Sequence, residues 1–368
     1  MTNINDYLIW RGDIKVTNKY RLTDVDYLIL ARFSFLPFGK INLSNRETIK
    51  SVSRKMSFLA DSDFECIDDR RLIENLGESE RFNHMFVTNF VTENDSKKEI
   101  QFSAVCVHIN KREVFVSYMG TSGNIYAWKE DFNMAFMYNV PSQVEGLKYL
   151  EAIGKKYPTK KFRIGGHSKG GNIAVYSSIN VSNRVKNRII KVYNYDGPGF
   201  NREVLNNVDI NFVDNKIKTF LPQGSIVGRL LEHEEKYRVV ESSSKGFIQH
   251  NIYSWNIVKD DFVSIDELTS SSDVINTTVK NWTYTTTKEQ REVFIDSIFN
   301  IFYSTEVETF REFSTVWFKK IPRMLKTYKN IDEKDRKVIT EMIKLFAKSY
   351  FNTKRANNKK KNVAKVKG

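Results

Sequence analysis

Only two cysteines, Cys66 and Cys106, occur in 368 residues. They lie 40 positions apart, which excludes a disulfide scaffold and a cysteine-built zinc site. No run of 18 apolar residues is present, so no helix is expected to span a membrane. The opening MTNINDYLIW lacks a basic segment followed by an apolar one, so no signal peptide is visible and a cytoplasmic protein is expected. Acid is short as well: 58 Lys and Arg face 44 Asp and Glu, a net charge of +14. Residues 353–368 alone hold seven Lys or Arg and no acid, so the rest of the chain carries only +7. Apolar residues make up 40% and aromatics 13%, enough for a sizeable core, and that excludes a disordered chain.

The length fits two or three domains, or one large domain with an appendage. Residues 1–80 read as helix and loop packed on the α/β region after them. Tyr27, Leu28, Leu30, Ala31, Phe35 and Leu36 recur at helical spacing and stop at Pro37. From residue 84 the period changes. MFVTNFV (85–91) and IQFSAVCVHI (100–109) flank a polar turn and read as a hairpin, and EVFVSYMG (113–120) as a buried third strand. Helical stretches at 142–157 and 170–181 then alternate with strand runs at 161–166, 189–195, 217–222 and 237–242. Alternation of this kind predicts an α/β fold with a mostly parallel sheet covered on both faces, spanning 81–265. Beyond it the period is 3.6. Thr287-Lys-Glu-Gln290 is a capping box, and Asp332 caps a further helix. A helical appendage is expected over 266–351, and a disordered basic tail over 352–368.

Chemistry concentrates at Gly166-His167-Ser168-Lys169-Gly170, between an apolar strand and a helix-compatible run. A nucleophile elbow needs that context. The serine sits on a strained strand-to-helix turn, and glycines two positions either side let strand and helix cross closely. A glycine-rich turn with an incidental serine is the bland alternative. A phosphate-binding loop fails, because Lys169 precedes the glycine pair instead of following it. An elbow serine is followed along the chain by an acid and then a histidine. Of five histidines, His84 and His108 precede Ser168 and fall on predicted strands. His167 adjoins Ser168 and points elsewhere. His233 lies in the charged EHEEKY and reads as solvated surface. His250, in the loop after the last strand, is the candidate base. Asp196, ending a strand at Tyr195-Asp196-Gly197-Pro198, is the candidate acid, against the reading of a plain Asp-Gly turn. The usual alternative position, after the next strand, offers Leu221-Pro-Gln-Gly-Ser225 and no carboxylate. The oxyanion donors are expected to be the N–H groups of Lys169 and of Thr121, in the loop after the third strand, with the Thr121 hydroxyl as a further donor and Trp128 and Asp131 bracing that loop.

Taken together, these residues resemble known families. Ser117-Tyr-Met-Gly-Thr121 followed by Trp128-Lys-Glu-Asp131 is similar to the oxyanion segment of fungal-type class-three lipases. Tyr195-Asp-Gly-Pro-Gly-Phe200 resembles the strand end that carries the acid of pancreatic lipase. A closer resemblance is to a bacterial family of lipase-like α/β-hydrolases of unknown function, the Mbeg-like proteins. It is carried by Trp10-Arg-Gly-Asp13, Arg32-Phe-Ser-Phe-Leu-Pro37, Gly165-Gly-His-Ser-Lys-Gly-Gly-Asn172, Pro222-Gln-Gly-Ser-Ile-Val-Gly228 and Gln249-His250. The resemblance covers about residues 3–262. It implies an α/β-hydrolase fold and a serine hydrolase, a carboxylesterase, lipase or phospholipase, without naming a substrate. The class-three pattern places its acid after the 217–222 strand, and this chain departs from it there.

Acyl transfer through Ser168, Asp196 and His250 calls for no metal and no organic cofactor. Lys169, a cation in the first turn of a helix, opposes the helix dipole, so it is expected either to pair with a carboxylate or to meet an anionic substrate group such as phosphate. Phe33, Phe35 and Phe38 belong either to a lid or acyl groove, or to the core. The positive charge favours peripheral contact with an anionic membrane. The tail lacks interleaved aromatics, which argues against nucleic acid as partner. The competing class is a catalytically inactive hydrolase scaffold serving as a binding module.

Overall fold

The computed structural model of the chain describes residues 2–206 and 208–367, with the backbone alone at 310 and 359–367. Four helices come early: α1 (Ile4–Arg11), α2 (Asp24–Arg32), α3 (Ile49–Met56) and α4 (Ile67–Glu78). A two-residue strand β1 (Glu47–Thr48) precedes α3. The antiparallel strands β2 (Phe86–Asp95), β3 (Ile100–His108) and β4 (Glu113–Tyr118) come next. Then come α5 (Ile125–Asn133), α6 (Pro141–Lys156), β5 (Lys161–His167), α7 (Lys169–Asn180), α8 (Asn183–Lys186) and β6 (Ile189–Tyr195). Two short helices, α9 (Arg202–Leu205) and α10 (Ile210–Lys216), lead into β7 (Ile217–Pro222) and β8 (Tyr237–Val240). A small hairpin, β9 (Ile257–Val258) with β10 (Asp261–Phe262), ends this region. Four long helices close the chain: α11 (Ser270–Thr285), α12 (Lys288–Tyr303), α13 (Phe310–Asn330) and α14 (Glu333–Lys367).

The eight main strands lie in sequence order, antiparallel up to β4 and parallel from β4 to β8. This is a mostly parallel central sheet wrapped by helices, the α/β-hydrolase arrangement. Sequential order has a consequence. Right-handed crossovers that always step in one direction put their helices on the same face. Helices α6, α7, α8, α9 and α10 accordingly bury one face, through Val114, Val116, Ile164, Ile173 and Val192. The other face would stay wet without the N-terminal segment. Helix α2 covers it, touching β4, β5 and β6, with Leu28, Phe33 and Phe38 packed among Phe115, Tyr193 and Phe220. Val25 to Arg32 are all buried, so α2 is hydrophobic all round, as a helix enclosed on every side must be. Its two interior charges are paired across the segment: Asp26 with Arg81 at 2.6 Å and Arg32 with Asp69 at 2.7 Å. Phe33 and Phe38 are therefore core residues, not lid residues.

The predicted capping box at Thr287 starts α12. Helix α12 packs on α5 through Ile295 and Phe299, and α11 packs on α14, where Trp282 Nε1 donates to the Met342 carbonyl at 3.1 Å. The backbone stays helical to Lys367, where composition pointed to a disordered tail from 352. Lys, Arg, Asn and Ala run there without a glycine or proline, and a helix already nucleated extends at little cost. Gly368 lies outside the described residues. Among the described residues no helix is long and apolar enough to cross a membrane.

Candidate active site

Strand β5 ends at His167 and α7 begins at Lys169, so Ser168 alone makes the turn. Its backbone sits at φ 59°, ψ −135°, a region that non-glycine residues adopt only under strain. The turn closes because its flanks have no side chains. A Cβ on Gly166 would lie 2.3 Å from the Gly170 carbonyl carbon, and one on Gly170 would lie 2.2 Å from the Tyr118 carbonyl oxygen. The Ser168 N–H donates to the Tyr195 carbonyl at 3.0 Å, tying the elbow to the end of β6.

At that end stands Asp196, fully buried and also left-handed, with φ 54°. Its Oδ2 accepts from His250 Nδ1 at 2.6 Å. Its Oδ1 accepts from the Ser225 hydroxyl and from the Gly228 N–H at 3.2 Å. The loop after β7 thus holds no acid but cradles the acid of the strand before it. The missing carboxylate in Pro222-Gln-Gly-Ser225 and the presence of Asp196 are two sides of one arrangement. Gly228 has to be glycine, since a Cβ would come within 2.3 Å of Asp196 Oδ1.

His250 sits in a short 3₁₀ turn, Gly246–His250, its side chain 18% exposed. Several bonds fix that turn. Gln249 Oε1 accepts from the Gly224 N–H at 2.9 Å, and buried Trp255 donates its indole N–H to the Gln249 carbonyl at 2.9 Å. Tyr253 donates to Asp69, which also takes a two-pronged bond from Arg32. The residues around His250 are thereby stapled to α2 and α4, so the first 80 residues help to place it. With Nδ1 facing Asp196, Nε2 is the ring nitrogen without a hydrogen-bond partner among the described residues. Among the described residues no hydrogen bond joins Ser168 Oγ to His250. Catalytic hydrogen bonds are often loose in unliganded sites and tighten with substrate.

His167, expected to point away, lies against the site. Its Nε2–H donates to the His250 carbonyl at 2.8 Å, and the two rings sit 4.6 Å apart. Burial, then His250 and Arg32, push its pKa well below the usual histidine range, so it is neutral. Its buried Nδ1 has no partner among the described residues. Phe35 packs 6.0 Å from this ring, and its tip would meet a Cβ on Gly120 at 2.9 Å. Two other histidines differ from expectation. His84 is an exposed turn residue before β2, not a strand residue. His233 is mostly buried and bonds Glu235 at 3.1 Å, so it is not the solvated surface residue expected.

The loop expected to supply an oxyanion donor, 119–123, comes directly after β4. The main-chain N–H groups of Thr121 and Lys169 have no acceptor among the described residues. The Thr121 hydroxyl is engaged, donating to Asp131, so it is not the further donor expected. Burial raises the Asp131 pKa to about 6, against the pull of Lys169 and the Thr121 bond. Gln101 on β3 braces the loop by accepting from the Ser122 N–H at 2.9 Å. The Lys169 ammonium is fully buried and lies 2.6 Å from Glu130, itself fully buried. Of the two readings of Lys169, the structure selects the carboxylate partner, and the phosphate reading loses its carrier. Glu130 also accepts from the Gln101 N–H at 3.2 Å and the Ser142 N–H at 2.7 Å. It lies in the Trp-Lys-Glu-Asp run, and its signal in the sequence is a lysine where the helix dipole disfavours one, which calls for an anionic partner.

An apolar cavity of ≈ 320 Å³ opens between α5 and α12, lined by Trp128, Phe132, Phe294, Ile298, Phe299 and Phe302, among others. Trp128 lies 6.3 Å from Phe247, and Phe247 lies 5.9 Å from His250. Phe247 and Ile248 are 49% and 67% exposed, an apolar rim beside His250.

A sequence model of the family described as Mbeg1-like matches residues 76–300, more than half of the chain. No curated protein matches. Solved structures similar to the chain include the Rhizomucor miehei lipase propeptide complex, at 13% identity over 44% of this chain and 58% of that one, TM-score 0.31. Lip2 lipase from Yarrowia lipolytica matches at 14% identity over 42% and 65%, TM-score 0.29. An MDLA mutant from Penicillium cyclopium matches at 12% over 72% and 86%, TM-score 0.37. The chain thus covers less than two thirds of the first two. Scores this low support no argument of their own, and the fold rests on the strand order described above.

Proposed function

The chain belongs to the Mbeg1-like family, and we propose that it is a serine ester hydrolase of the carboxylesterase or lipase type. One observation carries the reading. A serine on a strained strand–helix turn closes β5, and at the end of the next strand a buried carboxylate holds the Nδ1–H of a histidine. In this reading His250 Nε2 takes the Ser168 proton as Oγ bonds the ester carbonyl carbon. The carbonyl π electrons move to oxygen, and the N–H groups of Lys169 and Thr121 hold the charge. Loss of one such donor costs about 3–4 kcal/mol of transition-state stabilisation. Collapse expels the alcohol, which leaves with the proton from His250. Water then repeats the sequence on the acyl-enzyme. Asp196 keeps the tautomer and stabilises the imidazolium. In this reading the Thr121–Asp131 bond braces the oxyanion loop.

The apolar cavity and the Phe247–Ile248 rim favour an ester with a hydrocarbon acyl group over a small polar one, since ligand cavities span roughly 300–1,000 Å³ and are mostly apolar. The competing reading is a hydrolase scaffold without turnover, favoured by the unmade Ser168–His250 bond. Labelling with a fluorescent fluorophosphonate, wild type beside Ser168→Ala, separates the two. An activated serine labels in the wild type alone, and p-nitrophenyl esters of rising chain length then give turnover that peaks beyond acetate. Absence of label in folded wild type, with and without anionic vesicles, would establish the scaffold.

A further inference from the structure

Helix α13 differs from the other long helices. Helices α6, α7, α11 and α12 each bury a stripe; α13 buries no described side chain along 21 residues. It leans on α12 through Phe313, whose ring meets Phe302 at 5.1 Å. Away from that contact Trp317, Phe318, Ile321 and Leu325 are 50%, 56%, 37% and 53% exposed. At 100° per residue these four share one quarter of the helix surface. The arc beyond it carries Lys319, Arg323, Lys326 and Lys329. Glu312 is the one acid on the helix, although Arg323 is spent on a pair with Glu306 at 2.7 Å.

A surface helix with aromatic and aliphatic residues on one side and lysines on the next does not belong in bulk water. Exposed apolar patches of this kind mark a partner, and this pattern is that of helices lying in the plane of a membrane interface. We propose that α13 docks the protein on an anionic lipid bilayer, its apolar quarter inserted among the acyl chains and its lysines against the headgroups. The excess of base over acid selects an anionic surface over a neutral one. The helix is also wired to the site. Its N-cap Thr309 forms a bridge with Asn124, and Ile125 N–H donates to the Glu308 carbonyl at 2.9 Å, three to four residues past Thr121. Docking therefore brings a bilayer beside the oxyanion loop and the α5–α12 cavity. This last consequence rests on the hydrolase reading; the docking does not.

The test uses the full chain carrying Ser168→Ala, so that no lipid is consumed. It is sedimented with phosphatidylcholine vesicles, with and without phosphatidylglycerol. The protein should pellet only with the anionic vesicles, and less as salt is raised. Lys319→Gln with Lys326→Gln should weaken partitioning roughly 30-fold, at about 1 kcal/mol per basic residue near the surface. Trp317→Ser with Ile321→Ser and Leu325→Ser should abolish it. In the Ser168 background the same triple substitution should leave turnover of soluble p-nitrophenyl acetate unchanged, because the three side chains hold no core. Three results would overturn the proposal: wild-type α13 leaving the protein in the supernatant, the triple variant binding as well as its parent, or a dimer that the triple variant abolishes while vesicles capture neither. If vesicles bind and no ester turns over, the docking stands and the hydrolase reading falls.

Discussion

Replacing Lys169 by methionine tests the arrangement behind the elbow. The ammonium lies 2.6 Å from Glu130 and 3.2 Å from the Gln101 carbonyl, with Asp131 at 3.9 Å; neither Lys169 nor Glu130 reaches solvent. A lysine in the first turn of a helix costs a few tenths of a kcal/mol against the dipole, far less than stranding one member of a buried pair. Removing one member of a buried pair leaves an uncompensated charge, typically a loss of about 3–5 kcal/mol. In Lys169→Met the surviving carboxylate keeps the Gln101 and Ser142 N–H groups, the latter at the start of α6. The loss should therefore sit near the low end of that range, about 3 kcal/mol. Glu130→Gln should cost more, because an amide must face two N–H donors and a stranded ammonium. The double substitution leaves neither member of the pair stranded, and Asp131 alone loses its neighbouring ammonium. Its cost should fall short of the sum of the singles by at least about 2 kcal/mol. Urea unfolding at pH 7, followed by circular dichroism, measures all four corners of the cycle. A Lys169→Met loss under about 1 kcal/mol, or additivity within about 0.5 kcal/mol, would refute the reasoning. In the proposed mechanism the oxyanion donor at 169 is a main-chain N–H, so folded Lys169→Met should keep its kcat within about tenfold. A rise in KM confined to anionic esters would instead return the lysine to substrate binding.

Asp196→Asn should lower kcat by about 10⁴-fold with little change in stability, since it disturbs the His250 tautomer and leaves the elbow alone; ester turnover beside thermal unfolding checks this. Gly228→Ala places a methyl 2.3 Å from Asp196 Oδ1 and should displace the carboxylate, with a kcat loss on the order of 100-fold while the elbow geometry survives. Asp131 has a folded pKa of about 6, above the usual aspartate value. Its burial therefore costs nothing when both states are protonated, and stability is lost as pH rises from about 4 to about 6. Asp131→Asn removes that slope. Its stability relative to wild type should improve between pH 4 and pH 7 by up to about 3 kcal/mol, at about 1.36 kcal/mol per unit, and a pH-independent difference in urea unfolding would contradict this.

The residues near in sequence are the ones most easily read from it. The hairpin of β2 and β3, the alternation from β4 to β8 and the capping box of α12 arise from periods of 2 and 3.6 and from groups three residues apart. The turn at Ser168 is equally local: Gly166 and Gly170 leave space that only a strand crossing a helix would need. Less was legible where a reading relied on composition. Lysines and asparagines at 352–367 suggested disorder, yet nothing in that run breaks a helix. The acidic run around His233 looked solvated, yet Glu235 is buried and bonds both His233 and Thr219 on β7.

By itself the sequence determined the order of strands and helices, the strained turn and the types of residue that come after it. Those depend on sterics and hydrogen bonds that reach about four residues or fewer along the chain. Tertiary structure alone decided that Asp196 meets a histidine 54 residues on, that Ser225 and Gly228 cradle it, and that Lys169 finds Glu130 39 residues back. It also decided that the first 80 residues cover the second face of the sheet and staple the segment that carries His250. Pairings at that range are set by strand register and crossover hand. A buried charge then settles on whichever partner those two constraints bring within reach.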